Sequence, residues 1–253
     1  MNPVIESIYR SENVIDADGK PIHAFPTSIT AQEGEALYSI VKKSLVTDTL
    51  EIGLAYGLST LFICQALHEK AQVLPNSQPR HTALDPLQSS LWKSIGLLNL
   101  ERAGLRDLVT FHEKPSHEIL PHLAENGHSY GFAFIDGLHL YDYALLDFWY
   151  IDRLLDTGGL IMLHDLVWPA VRKVLSFVLH NCAHYEIAPE FHIPTPGWRK
   201  YTYLARHFAY NPLEFYSWSL PFKARYLDLF SRNYCVLRKT GNDSRPWTHY
   251  RSF

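Results

Sequence analysis

Cysteine is scarce in this chain: Cys64, Cys182 and Cys235 are the only three in 253 residues. They have no paired spacing and fall in segments that read as helix or strand, which argues against a disulfide framework and for reduced, buried thiols in a cytoplasmic protein. An excess of charge of either sign is also missing. The net charge of −3 gives no electrostatic reason to expect a nucleic acid or a membrane surface as partner. No apolar run is long enough to span a bilayer, and the first residues lack the charged-then-apolar order of a signal peptide, so a soluble, intracellular protein is expected. Internal repeats and low-complexity tracts are absent. What the composition does supply is apolar residues, 47% of the chain, enough for the core of one large domain or of a domain with an appendage.

Two phosphate-binding signatures are absent as well, and this narrows the reading of the stretch 48–60, around which the rest is organised. Leu50 and Ile52 flank Glu51 in a short apolar run, Gly53 and Gly57 punctuate a turn, and 59–67 has helical spacing, which gives strand, glycine loop and helix. Gly53 is followed by Leu54, Ala55 and Tyr56, so the Gly-x-Gly-x-x-Gly dinucleotide fingerprint fails, and no Gly-Lys-Ser/Thr ending follows. Free N–H groups and the positive end of a helix suit a carboxylate. Glu51, at the carboxyl end of its strand, is expected to face the same crevice and hold a cation. An amino-acid-like ligand carrying both charges fits better than a diphosphate.

Along the rest of the chain, residues 1–28 show no sustained periodicity and read as an irregular arm. Thr30 to Glu33 form a capping-box pattern ahead of a helix over 31–44. A strand over 81–85 ends in Asp85, which in a doubly wound sheet lies over the switch-point crevice and can bond ribose hydroxyls. A helix over 90–103 and a strand over 108–111 follow. The run 130–136 is the clearest buried strand, apolar up to Asp136. After a helix over 141–155 and a turn over 156–159, the strand 160–165 ends in His164 and Asp165. Two adjacent strands thus bring Asp136, His164 and Asp165 to one sheet edge, where ligands of open α/β sheets bind. A helix over 167–181 and two short strands, 184–191 and 233–239, close the sheet. Between them lies an insertion, 193–232, rich in aromatics such as Trp198, Tyr201 and Phe208, suited to an acceptor pocket or a subunit interface. The division is a 1–29 arm, a 30–240 domain and a 241–253 tail.

The pattern Leu50-Glu51-x-Gly53-x-x-x-Gly57-x-Ser59 resembles the first motif of class I S-adenosylmethionine-dependent methyltransferases. It is similar in particular to the small-molecule O-methyltransferases of the catechol type and to metal-dependent natural-product sugar O-methyltransferases, over about residues 30 to 237. The resemblance implies an α/β fold: a doubly wound, seven-stranded, mostly parallel sheet with its last strand antiparallel. It implies S-adenosylmethionine as methyl donor and a small-molecule hydroxyl as acceptor. Glu51, Gly53, Gly57 and Ser59 would hold the methionine part, with Ile29 and Thr30 nearby, Asp85 the ribose, and Ser116 and His117 the adenine. The family's metal ligands, an Asp ending the fourth strand and an Asp-Asn pair ending the fifth, map onto Asp136, His164 and Asp165. His164 departs from the pattern, so the site is softer than an all-oxygen one, and manganese, iron or zinc stand beside magnesium. His139 stands three residues after Asp136, where the resembled enzymes place a lysine base; with Asp136 it would be catalytic. Two other readings remain: a metal-dependent oxygenase or hydrolase on a similar sheet, and a binding protein that kept the fold without the chemistry. A homo-oligomer, most simply a dimer, is expected.

Overall fold

The computed structural model of the protein describes residues 2–74, 77–192 and 232–253. Two short strands near the N-terminus, β1 (Asn13–Ile15) and β2 (Pro21–His23), pair as an antiparallel hairpin. The other described strands are β3 (Asp48–Ile52), β4 (Arg80–Leu84), β5 (Val109–His112), β6 (Tyr130–Ile135), β7 (Leu155–Leu163), β8 (Tyr185–Ile187) and β9 (Cys235–Lys239). They form one seven-stranded sheet in the order β5-β4-β3-β6-β7-β9-β8. The strands from β5 across to β7 are parallel, and β9 runs antiparallel between β7 and β8. This is the doubly wound sheet with an antiparallel final strand that the sequence implied. Its order reverses beside β3 and β6, and such a switch point opens a crevice at the carboxyl ends of the strands.

Seven α-helices are described: α1 (Pro3–Ser11), α2 (Ala31–Lys43), α3 (Leu58–Val73), α4 (Ile95–Arg102), α5 (Ser116–Glu125), α6 (Tyr141–Leu154) and α7 (Pro169–Asn181). Side chains alternate across each strand, so β6 sends Phe132 and Phe134 into a core shared with α2 and α3. Its Ala133 and Ile135 enter the opposite core, with Phe148 of α6 and Val174 of α7. A strand covered on both faces must be apolar throughout, which is why β6 is so plain in the sequence. None of the described helices is long and apolar enough to cross a membrane.

Four local expectations are corrected. The arm is not irregular: Asn2 caps α1 by accepting the Val4 N–H at 3.0 Å, Pro3 fits the first turn, and Ile5 and Ile8 are buried in the core. The helix expected over 90–103 begins only at Ile95, because Lys93 and Ser94 have φ of +51° and +56°, which breaks the right-handed turn. The turn expected over 156–159 belongs to β7, whose register shifts against β6 between Tyr130 and Phe132. The strand expected over 184–191 stops at Ile187, and Pro189 starts a single 3₁₀ turn instead. The aromatic insertion lies outside the described residues, apart from Arg232.

Gly53 shows how closely the crevice is built. Its φ is +98°, and a Cβ there would stand 2.1 Å from the backbone oxygen of Asp136. Gly53→Ala is therefore expected to lower stability by more than about 2 kcal/mol. Gly104→Ala, at φ +68° with open space around it, should cost about 1 kcal/mol. Thermal unfolding of the two variants beside the wild type checks the order; equal losses would contradict the crowding described.

Candidate active site

The glycine loop between β3 and α3 is held from the side by the chain that follows β4. Asp85 is buried, and its Oδ2 accepts the N–H groups of Leu54 at 3.1 Å and Ala55 at 2.8 Å, while Oδ1 accepts that of Leu87 at 2.8 Å. Gln88 Nε2 donates to the Ala55 carbonyl at 2.6 Å, and Asn99 Nδ2 to the Tyr56 carbonyl at 3.0 Å. Three of the roughly four acceptor positions of the Asp85 carboxylate are thus used on backbone donors. Two loop N–H groups expected to be free are taken by Asp85. The remaining donors belong to the first turn of α3, where Leu61 makes the first helical bond, to the Gly57 carbonyl, so the N–H groups of Leu58, Ser59 and Thr60 have no partner within the helix.

Glu51 does not face the crevice. Strand alternation places it opposite Leu50 and Ile52, on the α3 side of the sheet, and it is fully buried. Its Oε2 accepts from the Thr60 hydroxyl and lies 3.1 Å from His81 Nε2, whose Nδ1 is 2.8 Å from Thr49 Oγ1. This chain ties β3, β4 and α3 together underneath the loop. The expectation that Glu51 holds a ligand's cation at the strand end is corrected: sheet geometry turns the side chain inward.

At the carboxyl ends of β6 and β7 the side chains of Asp136, His139 and Asp165 converge. Each offers one ligand atom, all within 4.8 Å of one another, and all three residues are partly exposed. His139 Nε2 is 3.1 Å from Asp165 Oδ2 and 3.7 Å from Asp136 Oδ1. Asp165 has φ +56°, a conformation an Asp adopts more easily than most residues. Trp168, half exposed, stacks on the His139 ring with centroids 6.0 Å apart and planes 16° from parallel. Leu138, Leu140 and Val167 are exposed beside it and give the rim an apolar character. The rim was not among the expected site residues, although Leu138 and Leu140 flank His139 in the chain.

His164 is not part of that converging group. It is 5% exposed, with Nδ1 3.0 Å from Asp136 Oδ1 and Nε2 3.3 Å from Glu33 Oε1. Nε2 is also 3.1 Å from Asn233 Nδ2, and Nδ1 is 3.5 Å from Asp165 Oδ1. With both ring nitrogens turned to protein partners, the expected ligand set of Asp136, His164 and Asp165 is corrected to Asp136, His139 and Asp165 as the group that meets at one point. Burial alone would raise Asp136, but His164 and His139 outweigh it and hold the carboxylate below its usual range. Asp136 and Asp165 push His139 up to about 9 against a smaller opposing effect of burial. Burial disfavours a charge on His164 too, yet Asp136 and Glu33 raise it well above an ordinary imidazole. Two carboxylates and one imidazole within ligand reach suit a divalent cation that accepts mixed oxygen and nitrogen donors.

The two residues expected at the adenine lie at the start of α5. Ser116 is its first residue, nearly buried, with Pro115 as cap; His117 is exposed and meets Tyr143 edge to face at 5.9 Å. Beside them is a residue not anticipated, Asp147 of α6. It is 2% exposed, its Oδ1 has no hydrogen-bond partner among the described residues, and its Oδ2 would be 3.5 Å from a Cβ at Gly137. Burial pushes its carboxyl up to about 6, against the lowering effects of Ser116 and His117.

Residues 50–166 match the family model of the methyltransferase domain. Caffeoyl-CoA O-methyltransferase 2 of Petunia hybrida is 30% identical over 146 residues, a match covering 55% of this chain and 54% of the petunia protein. Caffeoyl-CoA O-methyltransferase 1 of Nicotiana tabacum matches to the same extent, 30% over 146 residues with 55% and 54% covered. The chain thus spans about half the length of the curated relatives it matches. Among solved structures, the O-methyltransferase TomG of Streptomyces achromogenes, in complex with SAM, aligns with a TM-score of 0.62 at 15% identity, covering 95% of this chain and 91% of TomG. An O-methyltransferase of Bacillus cereus in complex with SAH aligns with a TM-score of 0.58 at 18% identity, over 74% and 83%. At these identities the likeness is one of fold.

Asp147 gives the site a pH signature. An unfolded aspartate ionises near 3.8, whereas folding holds this one protonated up to about 6. Its ionisation therefore costs nothing below the unfolded value, and the cost grows between the two values and is full above about pH 6. Asp147→Asn should be more stable than wild type at pH 7 by on the order of 1–3 kcal/mol, the difference closing towards pH 4. Urea unfolding of both proteins from pH 4 to 7 measures it; a difference independent of pH would contradict the assignment.

Proposed function

We propose that this chain, which carries a methyltransferase domain over residues 50–166, transfers a methyl group from S-adenosylmethionine to a hydroxyl of a small molecule. The observation that carries the reading is the contact between Gly53 and the Asp136 backbone, which sets a loop able to hold an amino acid's carboxylate directly beside a cluster able to hold a cation. The first turn of α3, with Gly57 and Ser59, receives the methionine carboxylate. Asp85 keeps the loop in shape and has one acceptor position left for a ribose hydroxyl, while Ser116 and His117 border the adenine. Glu51 supports the loop from beneath.

Asp136, His139 and Asp165 are the residues that would hold a divalent cation, magnesium or a transition metal. When bound, the cation lowers the pKa of an acceptor hydroxyl and the sulfonium donor supplies an electrophilic methyl group. The protein's own part is to keep acceptor oxygen and donor carbon aligned, and the contact of the two loops at Gly53 and Asp136 serves that alignment. The exposed face of Trp168 and the leucines beside it give the acceptor an apolar wall. A second reading makes His139 the base and leaves the cation to the two aspartates; its 3.1 Å approach to Asp165 Oδ2 favours a His–Asp pair.

We place the protein in the reducing cytoplasm, on the strength of three free, buried thiols. We retain 30–240 as the methyltransferase unit, with 1–29 packed on it and 241–253 as tail. By its aromatic composition the insertion 193–232 suits an acceptor wall or a contact within a homo-oligomer.

Calorimetry with S-adenosylhomocysteine should give micromolar binding, and methylation of a hydroxyl-bearing panel that includes caffeoyl-CoA should need added Mn²⁺ or Mg²⁺ and cease with EDTA. No heat with S-adenosylhomocysteine would sink the donor assignment. Asp136→Ala should lose activity and Mn²⁺ binding together. His139→Gln separates the two readings: lost Mn²⁺ binding makes it a ligand, whereas retained binding with kcat down about 10²-fold or more makes it the base.

A further inference from the structure

Glu33 belongs to α2, which none of the roles above includes, yet its buried carboxylate joins four separate parts of the chain. Oε2 accepts the Thr30 N–H at 2.7 Å and the Thr30 hydroxyl at 2.8 Å, closing the capping box that starts α2. Oε1 is used elsewhere: it accepts Asn233 Nδ2 at 3.0 Å and lies 3.3 Å from His164 Nε2. His164 Nδ1 in turn stands 3.0 Å from Asp136 Oδ1. The path runs from the first turn of α2, through the end of β7, to the end of β6. Asn233, just ahead of β9, braces it from the side, with its Nδ2 also 3.1 Å from His164 Nε2 and 3.2 Å from Asp165 Oδ1. A capping-box glutamate needs only water on its second oxygen to do its helical work. Burying that oxygen against an imidazole and an amide has a desolvation cost that capping does not require.

We infer that Glu33 is a positioning residue for the cation site, acting through His164 to fix the Asp136 carboxylate in the orientation that meets His139 and Asp165. This rests on the cation reading proposed above. An imidazole held at one nitrogen only can rotate about its side-chain torsions; held at both, between Glu33 and Asp136, it presents a fixed N–H to Asp136 Oδ1, the oxygen that also lies 3.7 Å from His139 Nε2, and so fixes the turn of that carboxylate toward the cluster. Partners of this kind, one bond removed from the ligand, typically change metal affinity 10–100-fold when they are lost. The same carboxylate makes the start of α2 and the cation site parts of one hydrogen-bonded unit, so the site is expected to be assembled only when α2 is docked.

The test measures Mn²⁺ binding to the full chain by electron paramagnetic resonance, with folding checked by circular dichroism. Glu33→Gln keeps the shape but cannot serve both oxygens' donors, and it should weaken Mn²⁺ about 10-fold or more. Asn2→Ala, which removes the cap of α1 far from the site, controls for general loss of stability and should bind as wild type does. His164→Asn should weaken binding as well, and in that background Glu33→Gln should add nothing, because the path is already cut. Should Glu33→Gln not fold, Glu33→Asp keeps the charge but shortens the reach to His164 and is expected to weaken Mn²⁺ severalfold. Unchanged affinity in Glu33→Gln, an equal loss in Asn2→Ala, or additive losses in the double variant would each overturn the inference. A wild-type chain that binds no Mn²⁺ would overturn the cation reading itself, a result distinguishable because every variant would then behave alike.

Discussion

The site depends on how close two strand ends can come. Gly53 N donates to the Leu84 carbonyl at 2.8 Å and Asp136 N to the Ile52 carbonyl at 2.9 Å, so the hydrogen-bond ladder of the sheet is carried past the last strand residues into the loops. These bonds, and the missing side chain at Gly53, set the separation between the glycine turn and the acid cluster. Backbone fixes it, not side-chain packing. A displacement reaction between two bound partners is sensitive to errors of an ångström, and a rigid sheet edge is a means of avoiding them.

Much of this was legible in the sequence for a definite reason. The run Tyr130 to Ile135 is apolar without alternation, which only a strand covered on both sides requires, and it delivers Asp136 to the edge. The glycine turn and the capping box at Thr30 are local signals written in adjacent residues. Glu51 shows where local reasoning ends. Period-two alternation already opposes it to Leu50 and Ile52, but its true partners are Thr60 on the next helix and His81 on the neighbouring strand, and the His81 contact depends on the β3–β4 register. The exchange of His164 for His139 failed for a related reason. Nothing adjacent to Asp165 announces that its backbone takes a positive φ, and the second partner of His164 lies on α2, far away in the chain. The arm, by contrast, carried an Asn2-Pro3 start and the Ile5 and Ile8 spacing, a signal that was present and passed over.

The charges of the cleft form an alternating series. Glu33, His164, Asp136, His139 and Asp165 are arranged acid, imidazole, acid, imidazole, acid, each within 4 Å of the next. For Glu33 and Asp136, burial is opposed by the imidazole beside each, which holds both carboxyls below their usual range. Glu33 is held down to about 2 in this way even though burial opposes it. Three carboxylates against two imidazoles leave the series with an acid majority, the sign that attracts a cation.

The two flanks of residues 193–231 are stapled to each other. Ala188 N donates to the Val236 carbonyl, Val236 N donates to His192 Nε2 at 2.9 Å, and the Tyr234 hydroxyl donates to the Phe191 carbonyl at 3.2 Å. The ends of β8 and β9 are therefore held to one another by bonds that involve only residues 188–192 and 234–236. Asn233, next to that seam, reaches Glu33 and Asp165, so the same seam that closes the far side of the sheet also steadies the acid cluster.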